Sequence, residues 1–313
     1  MGDASMTERL LRFVLCEACE PPASDDLGVW WTERVRAAGA WQTSFDAGVA
    51  RALGADRLGF AFAAGYHAAL RTLIAELPDE ELVAFCATEQ GGARPRAIAT
   101  RLELGEGGSG RLSGKKRFST FGTRATELLV VASIGTDASG KNSLRVVRVA
   151  ARAPGVTITP LPELPFSPEI PHAEITLEAV EVAPGAVLPG DGYDRYLKPF
   201  RTVEDLHVHA VLLAYLIGVG RRSAWPRETL ERTAAELVAA RALALESPSA
   251  PEVHVALAGL VESGRALLRD SEPLWASVNS AERERWTRDR PLFEVAGSVR
   301  AARRDRAWQR LGA

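Results

Sequence analysis

The hydrophobic period of this chain switches twice, and few folds accommodate both switches. From Thr7 to Glu20 the apolar positions Leu10, Leu11, Val14 and Leu15 repeat at helical spacing, and Pro21-Pro22 closes the segment. Val29 to Leu53 and Arg57 to Leu77 continue the helical pattern until Pro78. Between Leu82 and Val187 the period shortens to that of strands. "AIATRLEL", "LLVVASIG", "SLRVVRVA", "VTITPL" and "AEITLEAVEV" favour β-structure, and "GEGGSG", "TDASGKN", "RAPG" and "VAPG" supply the turns. After "PGDGYDRYLKPF" the helical period returns, predicting helices at about 203–222, 227–246, 252–278 and 281–311, broken by Pro226, "SPSAP" and "SVNSAE". The chain is therefore expected to be α+β. N-terminal helices occupy 1–81, a compact antiparallel barrel or sandwich 82–190, and a four-helix bundle 191–313.

Composition excludes several function classes. A length of 313 residues is enough for two or three subdomains with a sizeable core. The net charge of −2 offers no surface for a polyanion, and the arginines of the last helix are interleaved with acids, so no nucleic-acid partner is expected. Trp286, Phe293 and Trp308 there read as core or subunit-contact residues. The N-terminal region carries no apolar run of the length of a signal peptide or membrane span, so a cytoplasmic protein with no membrane partner is expected. Cys16-Glu-Ala-Cys19 has the spacing of a redox or zinc motif. Zinc needs about four ligands and no second pair lies nearby, so the two cysteines are read as small apolar residues sharing a helix face. His67, His172 and His254 are isolated in sequence and receive no role.

Two stretches in the middle carry the chemistry. "ATEQGGARPRAIATRLE" runs from Ala87 to Glu103 through a glycine-rich turn, and "LSGKKRFST" leads from Leu112 to Thr120 into "FG" and the "LLVVAS" strand. With "APGVTI", "AEITLEAVEVAPGAVL" and the helix ending "LAYLIGVGRR", their order and spacing resemble the acyl-CoA dehydrogenase family from Leu82 to Arg222. The resemblance implies that the β-domain and C-terminal bundle hold FAD, that the substrate is an acyl-CoA or another acyl thioester, and that the chain forms a homo-oligomer. Carried over by position, Thr88 and Gly91 of the turn and Phe118, Ser119 and Thr120 of the strand would meet the flavin, Phe118 standing where the family has a tryptophan. A flat apolar ring needs an aromatic wall, and its polar edge needs fixed donors and acceptors.

Three departures bear on activity. The turn Gly91-Gly92-Ala93-Arg94-Pro95-Arg96 lacks the family's serine that helps bind phosphate or pantetheine. Arg94 and Arg96 can approach a phosphate, or stand as solvated arginines on a turn. The family's Arg–x–x–Phe–Gly segment is replaced by "RRSAWPRETLERTAAEL", and no counterpart of its Gly-Gly-x-Gly segment is present. Finally, Val208 occupies the place of a catalytic carboxylate ten residues before Gly218. Glu204, one helical turn earlier, is the replacement base to test. Its alternative is a carboxylate in a first helical turn favoured by the dipole. His207 and His209 fall on different helix faces, which disfavours a joint metal site. The expected function is an FAD-dependent oxidoreductase of acyl-CoA dehydrogenase type. The alternatives are a non-catalytic relative binding an acyl ligand or protein partner, and a flavin-dependent monooxygenase-like relative.

Overall fold

The computed structural model describes residues 5–21, 24–295 and 297–312, so Pro22 of the Pro21-Pro22 pair lies outside the described residues. The chain divides into two compact units. One comprises the chain through Ala75, Pro165–Glu169 and everything from Arg201; the other comprises Glu76–Leu164 and Ile170–Phe200.

The helical unit opens with α1 (Met6–Cys16), started by Ser5, whose hydroxyl accepts from Glu8 N. The single helix expected over 29–53 is instead two, α2 (Leu27–Ala38) and α3 (Ser44–Ala52). Gly39, at φ +67°, turns the chain out of α2, and the Thr43 side chain caps α3 through Asp46 N. These local signals override a continuous apolar pattern. α4 (Leu58–Leu73) is buried almost throughout, and α5 (Lys198–Arg222) follows a π-helical turn over Gly192–Leu197. The apolar window at α5 is long enough to cross a membrane, but 78% of it is buried inside the protein, as befits a core helix.

α6 (Arg227–Ala244) and α7 (Pro251–Ser271) continue the helical unit. The expected last helix is again broken: α8 (Ser280–Asp289) and α9 (Gly297–Leu311) flank a 3-10 segment over Arg290–Glu294. Pro291 cannot donate a backbone hydrogen bond, which stops the α-helix there. Trp286 stacks on Trp275 at 4.2 Å and is core, whereas Trp308 is 44% exposed. α1 ends at Cys16, so the two cysteines do not share a helix face; Cys19 is buried with its thiol 3.8 Å from the Gly218 carbonyl.

The other unit is a curled mixed sheet of β1 (Val83–Cys86), β2 (Arg101–Leu104), β3 (Gly110–Thr120), β4 (Glu127–Thr136), β5 (Asn142–Ala150), β6 (Val156–Pro160) and β7 (His172–Val182). The order is β1-β4-β2-β3-β7-β6, with β5 paired to β4. The expected wholly antiparallel pairing is modified, because β4 runs parallel to both β1 and β2. Alternating side chains from these strands, among them Cys86, Leu112, Leu128, Val130, Val147 and Ile175, build the core. Against β7, β3 carries a bulge between Lys116 and Ser119, and this irregularity creates the site.

Candidate functional site

The turn after β1 and the end of β3 meet in the β-unit. Glu89 and Gly92 exchange backbone hydrogen bonds at 3.1 and 2.9 Å, closing a two-residue turn with exposed Gly91 at its tip. The Thr88 carbonyl accepts from Arg117 N at 2.8 Å, which fixes the turn against β3. Beneath this contact Lys116 Nζ reaches Glu89 Oε1 at 2.5 Å, and both side chains are buried. Glu89 also accepts from Ala99 N at 2.7 Å and Thr100 N at 3.1 Å. Burial alone would raise its pKa, but the Lys116 charge and these hydrogen bonds bring it below the usual carboxylate range. Burial conversely lowers Lys116 against the pull of Glu89. The pair is a rivet between turn and strand.

The bulge then sets the direction of each following side chain. Ser119 points inward and is buried, while Phe118 is 56% exposed. Phe118 has φ +51°, a left-handed conformation that bulky residues rarely adopt, and Phe121 has φ +61° but is fully buried. The Arg117 guanidinium lies 5.4 Å from the Phe118 ring centroid. Thr120 is half-buried, and its hydroxyl is 3.4 Å from Nε2 of His172, its cross-strand partner. Burial lowers the His172 pKa, so the ring is neutral at pH 7. The structure thus brings Thr88, Phe118, Ser119 and Thr120 to one end of β3, with Gly91 on the adjoining turn.

Arg94 and Arg96 are exposed on the next turn, whose backbone is held by Asn142 Nδ2 at 2.9 Å from the Pro95 carbonyl and 3.0 Å from the Ile98 carbonyl. A groove of about 450 Å³ opens beside the Glu89 turn, lined by Lys115 and Arg117 rather than by those two arginines. The rivet and the groove were missed in the sequence. The available signal was parity: Lys116 shares strand parity with buried Leu112, and a lysine at an inward position requires a buried partner.

Glu204 lies on α5 in the helical unit, half-buried. Burial, reinforced by the charge of Asp205, pushes its pKa up to about 8, while Arg201, Arg300 and Arg303 pull the other way. Asp205 itself binds Arg303 and, at 3.3 Å, Arg300. His207 is buried between Thr72, 2.9 Å from Nε2, and the Val203 carbonyl, 2.7 Å from Nδ1. His209 faces Glu236 instead, at 3.9 Å. Burial lowers both imidazoles to a pKa of about 4. Val208 faces Gly65 of α4: a Cβ on that glycine would lie 3.0 Å from Val208 Cα and 2.6 Å from Val211 Cγ2.

Comparison with known proteins agrees with this architecture. Residues 84–180 match the family model for the acyl-CoA dehydrogenase middle domain. Butyryl-CoA dehydrogenase from Megasphaera elsdenii superposes with a TM-score of 0.66 at 13% identity, over 99% of each chain. The prolyl acyl carrier protein oxidase AnaB gives 0.65 at 17% identity over the whole of both chains. A glutaryl-CoA dehydrogenase from Mycobacterium smegmatis, in complex with FADH2, gives 0.63 at 14% identity over 96% of this chain and 93% of that one. No curated protein matches the chain by sequence. The chain accordingly has the fold of the acyl-CoA dehydrogenases throughout, and its residues 84–180 match the model of that family's middle domain.

Proposed function

We propose that this protein is a flavoprotein of acyl-CoA dehydrogenase type, a cytoplasmic homo-oligomer that acts on an acyl thioester. The observation that carries the reading is Phe118. A large aromatic ring is held outward in a strained backbone conformation, one residue after the Arg117 N–H that binds the Thr88 carbonyl and two before Thr120. Strain of this kind costs on the order of 1–3 kcal/mol and tends to persist where a ligand site uses it. An apolar wall with polar groups along one edge fits the isoalloxazine of FAD, with Phe118 against the ring and Thr88 and Thr120 at its polar rim. When bound, FAD would supply hydride acceptance. The protein must also take a proton from the thioester's α-carbon. Glu204, with a pKa of about 8, is partly ionised at neutral pH and suited to hold or release one.

The test begins with the visible spectrum of the purified protein before and after incubation with FAD. A bound-flavin spectrum that Phe118→Ala or Thr120→Ala loses, with the fold intact, supports the platform. Equal flavin content in parent and variants removes it. Anaerobic bleaching by acyl-CoAs then tests the reaction, and Glu204→Gln should abolish that bleaching; an unchanged rate removes Glu204 as the base.

One observation favours a second reading, in which the protein binds without dehydrogenating. Val208 cannot accept a proton, and α4 packs directly on it through Gly65. Flavin that binds but resists reduction by every acyl thioester tried would favour that reading.

A further inference from the structure

A second recess lies wholly within the helical unit, among α5, α7, α8 and the 3-10 segment that follows α8. α8 stops at Asp289, and the segment beginning at Arg290 brings Phe293 into one wall with Leu268 of α7 and Trp286 of α8. A groove of about 620 Å³ opens over these side chains. Arg265, Leu268 and Phe293 line both this groove and an inner chamber of about 30 Å³, so the two adjoin. Leu212, Leu213, Leu216 and Val261 complete the apolar lining of the chamber. Its volume admits a group the size of a water or a hydroxyl, not a ring.

The chamber is apolar except at Arg265 and His209. His209 shares a face of α5 with Leu212, Leu213 and Leu216, and its side chain is 11% exposed. Gly264 of α7 makes the room for it, since a Cβ there would stand 2.4 Å from His209 Cε1. Nε2 is buried with no hydrogen-bond partner; Glu236 Oε2, at 3.9 Å, is out of range. An imidazole nitrogen withdrawn from water in this way is costly until another polar atom meets it. The rim of the groove has the opposite character. Arg290 pairs with Glu272 at 2.8 Å, whereas Arg265 and Arg269 share Glu262 at 3.4 and 3.8 Å. Three guanidinium groups against two carboxylates leave one positive charge above an aromatic floor. Arg269 is 66% exposed and follows Gly264 along α7 by about 7.5 Å of axial rise.

We propose that this recess binds a phenolic carboxylate: the carboxylate between Arg265 and Arg269, the ring against Leu268, Trp286 and Phe293, and the phenolic hydroxyl in the chamber on His209 Nε2. The spacing fits a para-hydroxyl and a short aliphatic link between ring and carboxylate. The site is independent of the flavin reading, because Thr88, Phe118 and Thr120 all belong to the other unit.

Calorimetric titration of the full chain, as purified, with 3-(4-hydroxyphenyl)propionate tests this assignment. Its hydroxyl-free analogue 3-phenylpropionate and its uncharged amide probe the two ends separately. Loss of the hydroxyl should weaken binding about fivefold, and loss of the charge, in the amide or through Arg269→Gln, about tenfold. Arg269→Gln should not weaken the amide further, and Arg12→Gln, at an exposed arginine of α1, should match wild type. His209→Leu should bind the two acids alike. Its thermal transition reports whether the fold survives, and if it does not, the two acids on the wild-type protein decide. No binding of the hydroxy acid at millimolar concentration overturns the proposal, as does an affinity that ignores either the hydroxyl or Arg269. A protein that needs Phe118 for flavin but binds neither acid would lose this inference and keep the flavin platform.

Discussion

Glu89 in the β-unit and Glu204 in the helical unit are carboxylates withdrawn from water, yet their environments drive them in opposite directions. Glu89 has a lysine and two backbone N–H groups on its oxygens, and its pKa falls. Glu204 has burial and a neighbouring aspartate against it, and its pKa rises to about 8. The first arrangement freezes a charge in order to hold a turn. The second leaves a proton that can come and go near neutral pH. Burial alone thus distinguishes nothing; the partner on each oxygen separates a structural carboxylate from one suited to chemistry.

The comparison breaks most visibly at Lys116. Lys116→Met leaves Glu89 buried without its cation, and loss of one member of a buried pair costs about 3–5 kcal/mol. Denaturant unfolding should show that loss, and adding Glu89→Gln should return part of it. A cost under about 1 kcal/mol would mean that the rivet holds little.

Acid sharpens the contrast between the units. His207 is buried, and its pKa is lowered to about 4, so the fold favours neutral imidazole. Its contribution is fully present above the unfolded pKa of about 6.5 and is lost as pH falls from there toward 4, by about 3 kcal/mol. Glu89, with its lowered pKa, gives up stability only as pH falls below the ordinary carboxylate range. Hydrogen exchange at pH 5 should therefore loosen α4 and α5 before β1. Simultaneous loosening would contradict the assignment.

Glu204 should oppose this trend. A carboxyl with a raised pKa contributes stability that is full below about pH 4.5 and fades as pH climbs to about 8. Glu204→Gln should then stabilise the protein at pH 8 by on the order of 2 kcal/mol, and by nothing at pH 4. Equal effects at both pH values would show that folding leaves the Glu204 pKa unshifted.

How much was legible in the sequence differs between the two units for a physical reason. Strand alternation and turn residues are local, so β3, β4, β5, β6 and β7 appear where the pattern places them. β2 is shorter than "AIATRLEL" suggests, because Pro95–Ala97 forms a 3-10 turn and Glu89 takes the Ala99 and Thr100 N–H groups. In the helical unit, apolar periodicity ran through Gly39 and Pro291, where turn conformation and the missing proline N–H decide instead. The motif residues Thr88, Phe118 and Thr120 were readable by position. The direction of Phe118 was not, because it depends on a bulge in the pairing with β7.

That bulge gives the smallest effect on stability and the clearest separation of fold from function. Phe118 is exposed, so removing its ring gives up little buried area, and glycine at φ +51° relieves the strain that phenylalanine bears. Phe118→Gly should therefore leave stability within about 1 kcal/mol of wild type. Phe121→Gly, at a similar φ but fully buried, should lose on the order of 3–5 kcal/mol with its core packing. If Phe118 serves a ligand, its glycine variant will fold as well as the parent and fail to retain flavin. Both properties unchanged would make the ring an idle surface group. A large loss of stability would make it a packing residue, and the difference between the two phenylalanines would vanish.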